Sequence, residues 1–297
     1  MIQALIKKIT NKFADAVKQT QDPIQYTDPV QEKILTQLYR TKAETGAPLP
    51  DLKEVGWKHY SQTDEDGILH YLFSVLGTTN KKSVEICAGN AKECNTINLI
   101  ANHFWNGLLI DGNPNNVKEG KNWLDIYPKT YVYPPEYICK WITRDNINQL
   151  IEEKGFNGEV DLLSIDVDGV DYWLWEAIDC ISPRVVVAEY QQHLGPDRSW
   201  TVPYKEDFSA WDHPTEGWLP NYAGASLAAL TKLANKKGYK LVGCNSLCFN
   251  AFFVRRDVEK SELLKEVEVK DCFFHERAKW SMQKRFASIS KMEWVEI

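Results

Sequence analysis

Ser83-Val84-Glu85-Ile86-Cys87-Ala88-Gly89-Asn90, SVEICAGN, is a short apolar and β-branched run that breaks at one glycine and leads into the helical pattern NTINLIANHFW at 95–105. A strand that turns through glycine into a helix is the opening of a βαβ unit. The same punctuation recurs downstream. GLLIDGN (107–113), YICKWIT (137–143), DLLSIDVDG (161–169) and RVVVAEYQ (184–191) read as strands, and NINQLIEEKG (146–155) and YWLWEAIDC (172–180) read as helices between them. Short Val/Ile/Leu-rich strands alternating with helices predict an α/β, Rossmann-like fold whose mostly parallel sheet carries helices on both faces.

Working outward, residues 1–55 read as a helical N-terminal extension, with a helix in PVQEKILTQLYRTKAE (29–44) and the turn-prone GAPLPD (46–51). Residues 56–257 form the main domain, which a capping-box pattern at Thr63-Asp64-Glu65-Asp66 opens with the helix DEDGILHYLFSVLG. Its last strands, YKLVGCNSL and NAFFVRRD, read as a hairpin-like pair, and residues 258–297 as a polar helical tail. Within the domain, 191–225 interrupts the rhythm. It carries Trp200, Tyr204, Phe208, Trp211, Trp218 and Tyr222, too long and too aromatic for an ordinary connection, and predicts a lid-like insertion.

With 297 residues and 43% apolar content, the chain can build a sizeable core. A net charge of -6 with dispersed Lys and Arg argues against a nucleic-acid partner. Seven cysteines without regular spacing point to free thiols in a reducing, cytoplasmic compartment. No apolar run reaches the roughly 18 residues of a membrane span. Ile2, Leu5, Ile6, Ile9, Phe13 and Val17 recur at helical spacing among lysines, a pattern suited to a helix on a membrane surface or a partner, and better suited to packing on the domain itself.

Ligands of an open parallel sheet bind beyond the carboxyl ends of its strands. Asp111 ends the second strand 22 residues after Gly89, the spacing at which a carboxylate accepts hydrogen bonds from a ribose diol. A dinucleotide calls for a G-x-G-x-x-G loop, and ICAGNAKECNT has one glycine. S-adenosylmethionine, a sulfonium without a phosphate, tolerates such a loop and favours nearby carboxylates such as Glu85.

The ordered motifs VEICAGNAKECNTINLI, GLLIDGNP, WITRDNINQLI, LLSIDVDGVDYWLWEAI, VVVAEY and GASLAALTKLANKKGYKLVGCN resemble the FkbM-type branch of the class I S-adenosylmethionine-dependent methyltransferases over about residues 60–257. The resemblance implies a seven-stranded Rossmann-like sheet and S-adenosylmethionine as cofactor. It puts Glu85, Ala88 and Gly89 beside the methionine moiety, Asp111 on the ribose, and Asn95 and Thr96 at the opening of the following helix. Asn90 and Gly112 complete the implied cofactor set, and Cys87 and Ala91 stand where the family has glycines.

Asp166 and Asp168 alternate at the end of a strand, so both face the cleft if the strand persists. Glu189 ends the neighbouring strand, so Asp166 and Glu189 are placed to share a hard divalent cation such as Mg2+. Otherwise Asp166 orients the cofactor amine. Asp171 reads as a helix cap. Asp168 and His193 are the candidate bases for deprotonating a hydroxyl, with His193 at the mouth of the insertion. Apolar strand plus D-x-D-G-V also fits a metal-dependent phosphohydrolase, and D-x-D a sugar-nucleotide enzyme, but both leave Gly89 and Asp111 idle. The expected function is O-methylation of a sugar, glycan or other small hydroxylated metabolite; a non-catalytic cofactor-fold module is the other class.

Overall fold

In a computed structural model the described residues are 29–213, 215–216, 219–259 and 262–297, with residues 29, 215, 216 and 219 known by their backbone alone. The amphipathic pattern of residues 1–17 and Trp218 lie outside them. Helix α1 (Pro29–Thr45) precedes α2 (Glu65–Leu76). Then come β1 (Lys82–Ile86), α3 (Ile97–His103), β2 (Asn106–Asp111), α4 (Pro114–Leu124), β3 (Glu136–Cys139), α5 (Ile147–Glu152) and β4 (Gly158–Ile165). They are followed by α6 (Asp171–Ala177), β5 (Ile181–Glu189), β6 (Trp200–Thr201), β7 (Thr215–Glu216), β8 (Leu219–Pro220), α7 (Leu227–Lys236), β9 (Tyr239–Cys244) and β10 (Asn250–Arg255). Helices α8 (Glu276–Lys284) and α9 (Phe286–Ile289) and strand β11 (Val295–Glu296) complete the chain.

Seven strands form one sheet in the order β3-β2-β1-β4-β5-β10-β9. The pairs from β3 to β5 are parallel, and β10 alone runs against its neighbours. This is the expected seven-stranded, mostly parallel Rossmann-like sheet, with order reversing on either side of β1. Successive residues of the central strands feed opposite cores. Leu163, Val186 and Phe253 pack on one face with Trp175 of α6 and Leu230 of α7, while Leu162, Val187 and Phe252 pack on the other with Leu69 of α2 and Ile97 of α3. Strands buried on both faces read as continuous apolar runs, which is why VVVA and LLSI carry no alternation.

Three local expectations change. Thr63 does not cap α2 through a capping box. Its backbone N and hydroxyl both donate to Glu65, while the Asp64 carboxylate accepts from Ser246 in the β9–β10 turn and ties that hairpin to α2. The C-terminal segment is not a simple polar helix. Ala278 and Ile289 are buried, and β11 pairs with β6 of the insertion. The insertion itself is laid into the fold: Gln191 N donates to Ala225 O at 2.8 Å and Val202 N to Gly224 O at 3.1 Å.

Candidate active site

The carboxyl ends of β1, β2, β4 and β5 lie side by side, because Ile86 is in register with Ile110 on one side and Ile165 on the other, and Ile165 with Ala188. The turn after β1 is tightly wound, with φ of +67° at Cys87, +58° at Gly89 and +62° at Ala91. Glycine takes that region freely, but each L side chain there costs roughly 1–2 kcal/mol. Cys87 and Ala91 thus hold a conformation that glycine adopts freely.

Carboxylates hold this turn in place. Asp111 Oδ2 accepts from Gly89 N at 2.9 Å and Oδ1 from Asn113 N at 2.7 Å. Glu85, buried beneath them, accepts from the backbone N of Asn95 and of Thr96 at 2.8 Å each, from the Thr96 hydroxyl at 2.5 Å, and from Ser164 Oγ at 3.3 Å. Four donors converge on it at the N-terminus of α3, where a negative charge is favoured. Glu85, Asn95 and Thr96 are therefore turned into the protein as the clasp of the loop, and not outward toward a cofactor. Ala88 is also buried, its N donating to Ile110 O, while Asn90 spans to Glu119 on α4 at 3.4 Å. Cys87 Sγ and Asn116 Nδ2 approach the same two oxygens at 3.8 and 3.5 Å, and Asp111 is only 2% exposed, so its first role here is to set the turn.

Beyond Gly112 the cleft acquires walls that the strand pattern did not mark. A cavity of about 80 Å³ is lined by Cys87, Gly112, Trp141, Val167, Val170 and Phe208, among others. A Cβ on Gly112 would sit 2.8 Å from the Trp141 ring, so this glycine is what lets the indole close on the end of β2. From the other side the insertion comes down on the cleft. Trp141 Nε1 donates to Glu206 O at 2.6 Å, and a Cβ on Gly169 would meet Phe208 at 2.7 Å. Pockets for drug-sized ligands run to roughly 300–1,000 Å³. This one is smaller, and Glu206 and Phe208 of the insertion form part of its wall.

At the β4–β5 edge, one carboxylate oxygen each of Asp166, Asp168 and Glu189 lie within 4.8 Å of one another. Strand alternation does not bring them there. Strand β4 stops at Ile165, and the chain turns back at Asp168 with φ +51°, which brings its carboxylate beside that of Asp166. The loop is secured by Asp171, whose carboxylate accepts from Val167 N at 2.7 Å and Gly169 N at 3.0 Å. Asp171 therefore clasps the acidic turn instead of capping α6.

Burial, and then Asp168 and Asp171, push the Asp166 carboxyl well above the usual carboxylate range. Glu189 is pushed up likewise, by burial and then Asp166, Asp168 and Asp171, with Arg285 opposing. The Asp168 carboxyl is also raised, by the protein packed round it against the pull of Arg285. Groups this crowded invite a cation or shared protons. Arg285, on the C-terminal segment between α8 and α9, was not singled out by any motif. It donates to Asn221 Oδ1 at 2.8 Å and Pro220 O at 2.6 Å beneath the insertion.

His193 is not at the cleft mouth. It is fully buried in the short 3-10 turn Gln192–Leu194, and burial, followed by Arg285, drives its imidazole well below the usual histidine range. Enclosed by the insertion and the C-terminal segment, it stays neutral but cannot reach a ligand in this conformation.

No protein-family model matches the chain, and no curated protein matches it. Among solved structures it is similar to a S-adenosylmethionine-dependent methyltransferase from Clostridium acetobutylicum, with TM-score 0.39 and 11% identity over 62% of this chain and 87% of that one. It is also similar to the N-terminal domain of EvdMO1 with SAH bound, with TM-score 0.42 and 11% identity over 73% and 94% of the two chains. An O-methyltransferase family protein from Burkholderia thailandensis gives TM-score 0.40 and 10% identity over 65% and 58%. Likenesses this distant concern the arrangement of the sheet and carry no conclusion about chemistry.

Proposed function

We propose that this chain is a S-adenosylmethionine-dependent O-methyltransferase whose acceptor is a small hydroxylated molecule, a sugar or glycan first among them. The observation that carries the reading is the convergence of Asp166, Asp168 and Glu189 beside the glycine turn, at the strand ends where an open α/β sheet binds ligands. When bound, the cofactor supplies a methyl group on a cationic sulfur. A field of crowded carboxylates suits that cation, and the apolar walls Trp141, Val167 and Phe208 suit a flat base.

In this reading the chain mainly aligns and deprotonates. Asp168, at the open end of the cluster, takes the acceptor hydroxyl proton, a contribution of about 10²–10⁴-fold. Asp166 and Glu189 hold Mg2+, an ion that prefers oxygen ligands and keeps several waters. Gly89 and Asp111 fix the floor, and the Glu206–Phe208 stretch lifts to admit ligands and then excludes water.

The test is transfer of labelled methyl from S-adenosylmethionine to a panel of sugars, nucleotide sugars and small phenols, with Mg2+ and with chelator. Label on a hydroxyl, lost in Asp168→Asn, supports the reading. Absence of label together with phosphate release from phosphorylated sugars would replace it with the phosphohydrolase alternative.

A further inference from the structure

We propose that Glu32, His70 and His103 form a second, independent site, for a divalent transition ion of the zinc class, which fastens helix α1 to the sheet domain. One ligand atom from each lies within 4.8 Å of the other two. Nε2 of His103 is 2.5 Å from Oε2 of Glu32, and the His70 and His103 rings lie 5.6 Å apart. The three residues come from three helices, α1, α2 and the end of α3, and share nothing with the acidic cluster.

Hydrogen bonding around His70 supplies the second observation. The Thr36 hydroxyl donates its one proton to Glu32 O at 2.9 Å. With that proton on Glu32 O, the contact with His70 Nε2, also 2.9 Å, is one the imidazole donates. In that tautomer the lone pair sits on Nδ1, which is buried and has no hydrogen-bond partner among the described residues. A threonine holding one nitrogen of an imidazole while the other keeps a free lone pair is the arrangement that outer partners of metal-bound histidines create. His103 is 26% exposed at its side chain, which gives an ion a way in.

Two imidazoles and one carboxylate suit Zn2+ with water in the fourth position, and suit Mg2+ or Ca2+ poorly, since those take oxygen. Ligands about 2.0–2.1 Å from a tetrahedral ion stand roughly 3.3 Å apart, so Glu32 and His103 separate slightly on binding. Because the ligands are dispersed over three helices, the ion binds the folded chain and raises its melting temperature.

The experiment titrates Co2+, then Zn2+, into the full chain with excess Mg2+ to occupy oxygen-only sites. One Co2+ per chain with intense low-coordination visible bands, displaced by Zn2+, is expected, with affinity falling more than about 100-fold in His70→Ala and in His103→Ala. The more exposed His103 keeps the test valid should His70→Ala fail to fold. Absence of the bands, or binding unchanged in His103→Ala, leaves Glu32 and His103 as a plain ion pair and overturns the proposal. Methyl transfer is not the readout, so this site and the proposed activity stand or fall separately.

Discussion

Glu189→Gln removes one charge from a cluster in which every carboxylate faces two others within 4.8 Å. At that distance and an effective dielectric constant of about 20, each pair of full charges costs about 3.5 kcal/mol. Proton uptake relieves part of this, at about 1.4 kcal/mol per pKa unit, so a net gain of about 1–3 kcal/mol is expected. The introduced amide keeps an oxygen for the 3.1 Å bond from Gln191 Nε2, so little packing is lost. The sign follows from the raised folded pKa values of Asp166 and Glu189. Their stabilising share is complete below the unfolded value near 4 and is lost as pH rises through the folded values. With chelator present, Glu189→Gln should therefore be more stable than the parent at about pH 8 and equal to it near pH 4. Saturating Mg2+ should reverse the order at the higher pH, because the parent binds the ion better. Urea midpoints at the two pH values, with and without Mg2+, measure this. A variant less stable than the parent at high pH in chelator would refute the crowding argument.

Other expectations are more local. Glu85→Gln leaves four converging donors facing a side chain with only one acceptor oxygen, and should cost about 2–4 kcal/mol in urea unfolding. Asp168→Asn should lower kcat by about 10²–10⁴ while leaving the affinity for S-adenosylmethionine nearly unchanged in titration. Trp141→Ala removes both a cleft wall and the 2.6 Å bond to Glu206 O, and should weaken cofactor binding by roughly 1–2 kcal/mol while speeding its exchange, as read by stopped-flow fluorescence.

The sheet was legible because its code is local. Leu162-Leu163 and Val185-Val186-Val187 are apolar on both faces, Gly89 and Asp111 mark strand ends, and register then sets Asp166 opposite the end of β5. What stayed hidden depends on turns and on distant packing. Asp168 joins the cluster through a left-handed residue that no periodicity announces. Glu85 is at a strand end, as a ligand contact would be, yet the N-terminus of α3 consumes its oxygens. His193 is sealed partly because a segment nearly a hundred residues later delivers Arg285 against the insertion, and the two-residue strands β6 and β11 that fasten it have no sequence signature. Glu32 and His103 meet across 71 residues of chain.

Methyl transfer requires the strand-end cleft beside Asp166, Asp168 and Glu189 to hold S-adenosylmethionine. Isothermal titration of the full chain with S-adenosylmethionine, with S-adenosylhomocysteine as competitor and NAD as control, tests it most directly. Saturable one-to-one binding is expected, displaced by S-adenosylhomocysteine and not by NAD, and weakened in Trp141→Ala. No heat and no competition at millimolar ligand, with the protein folded, would contradict it.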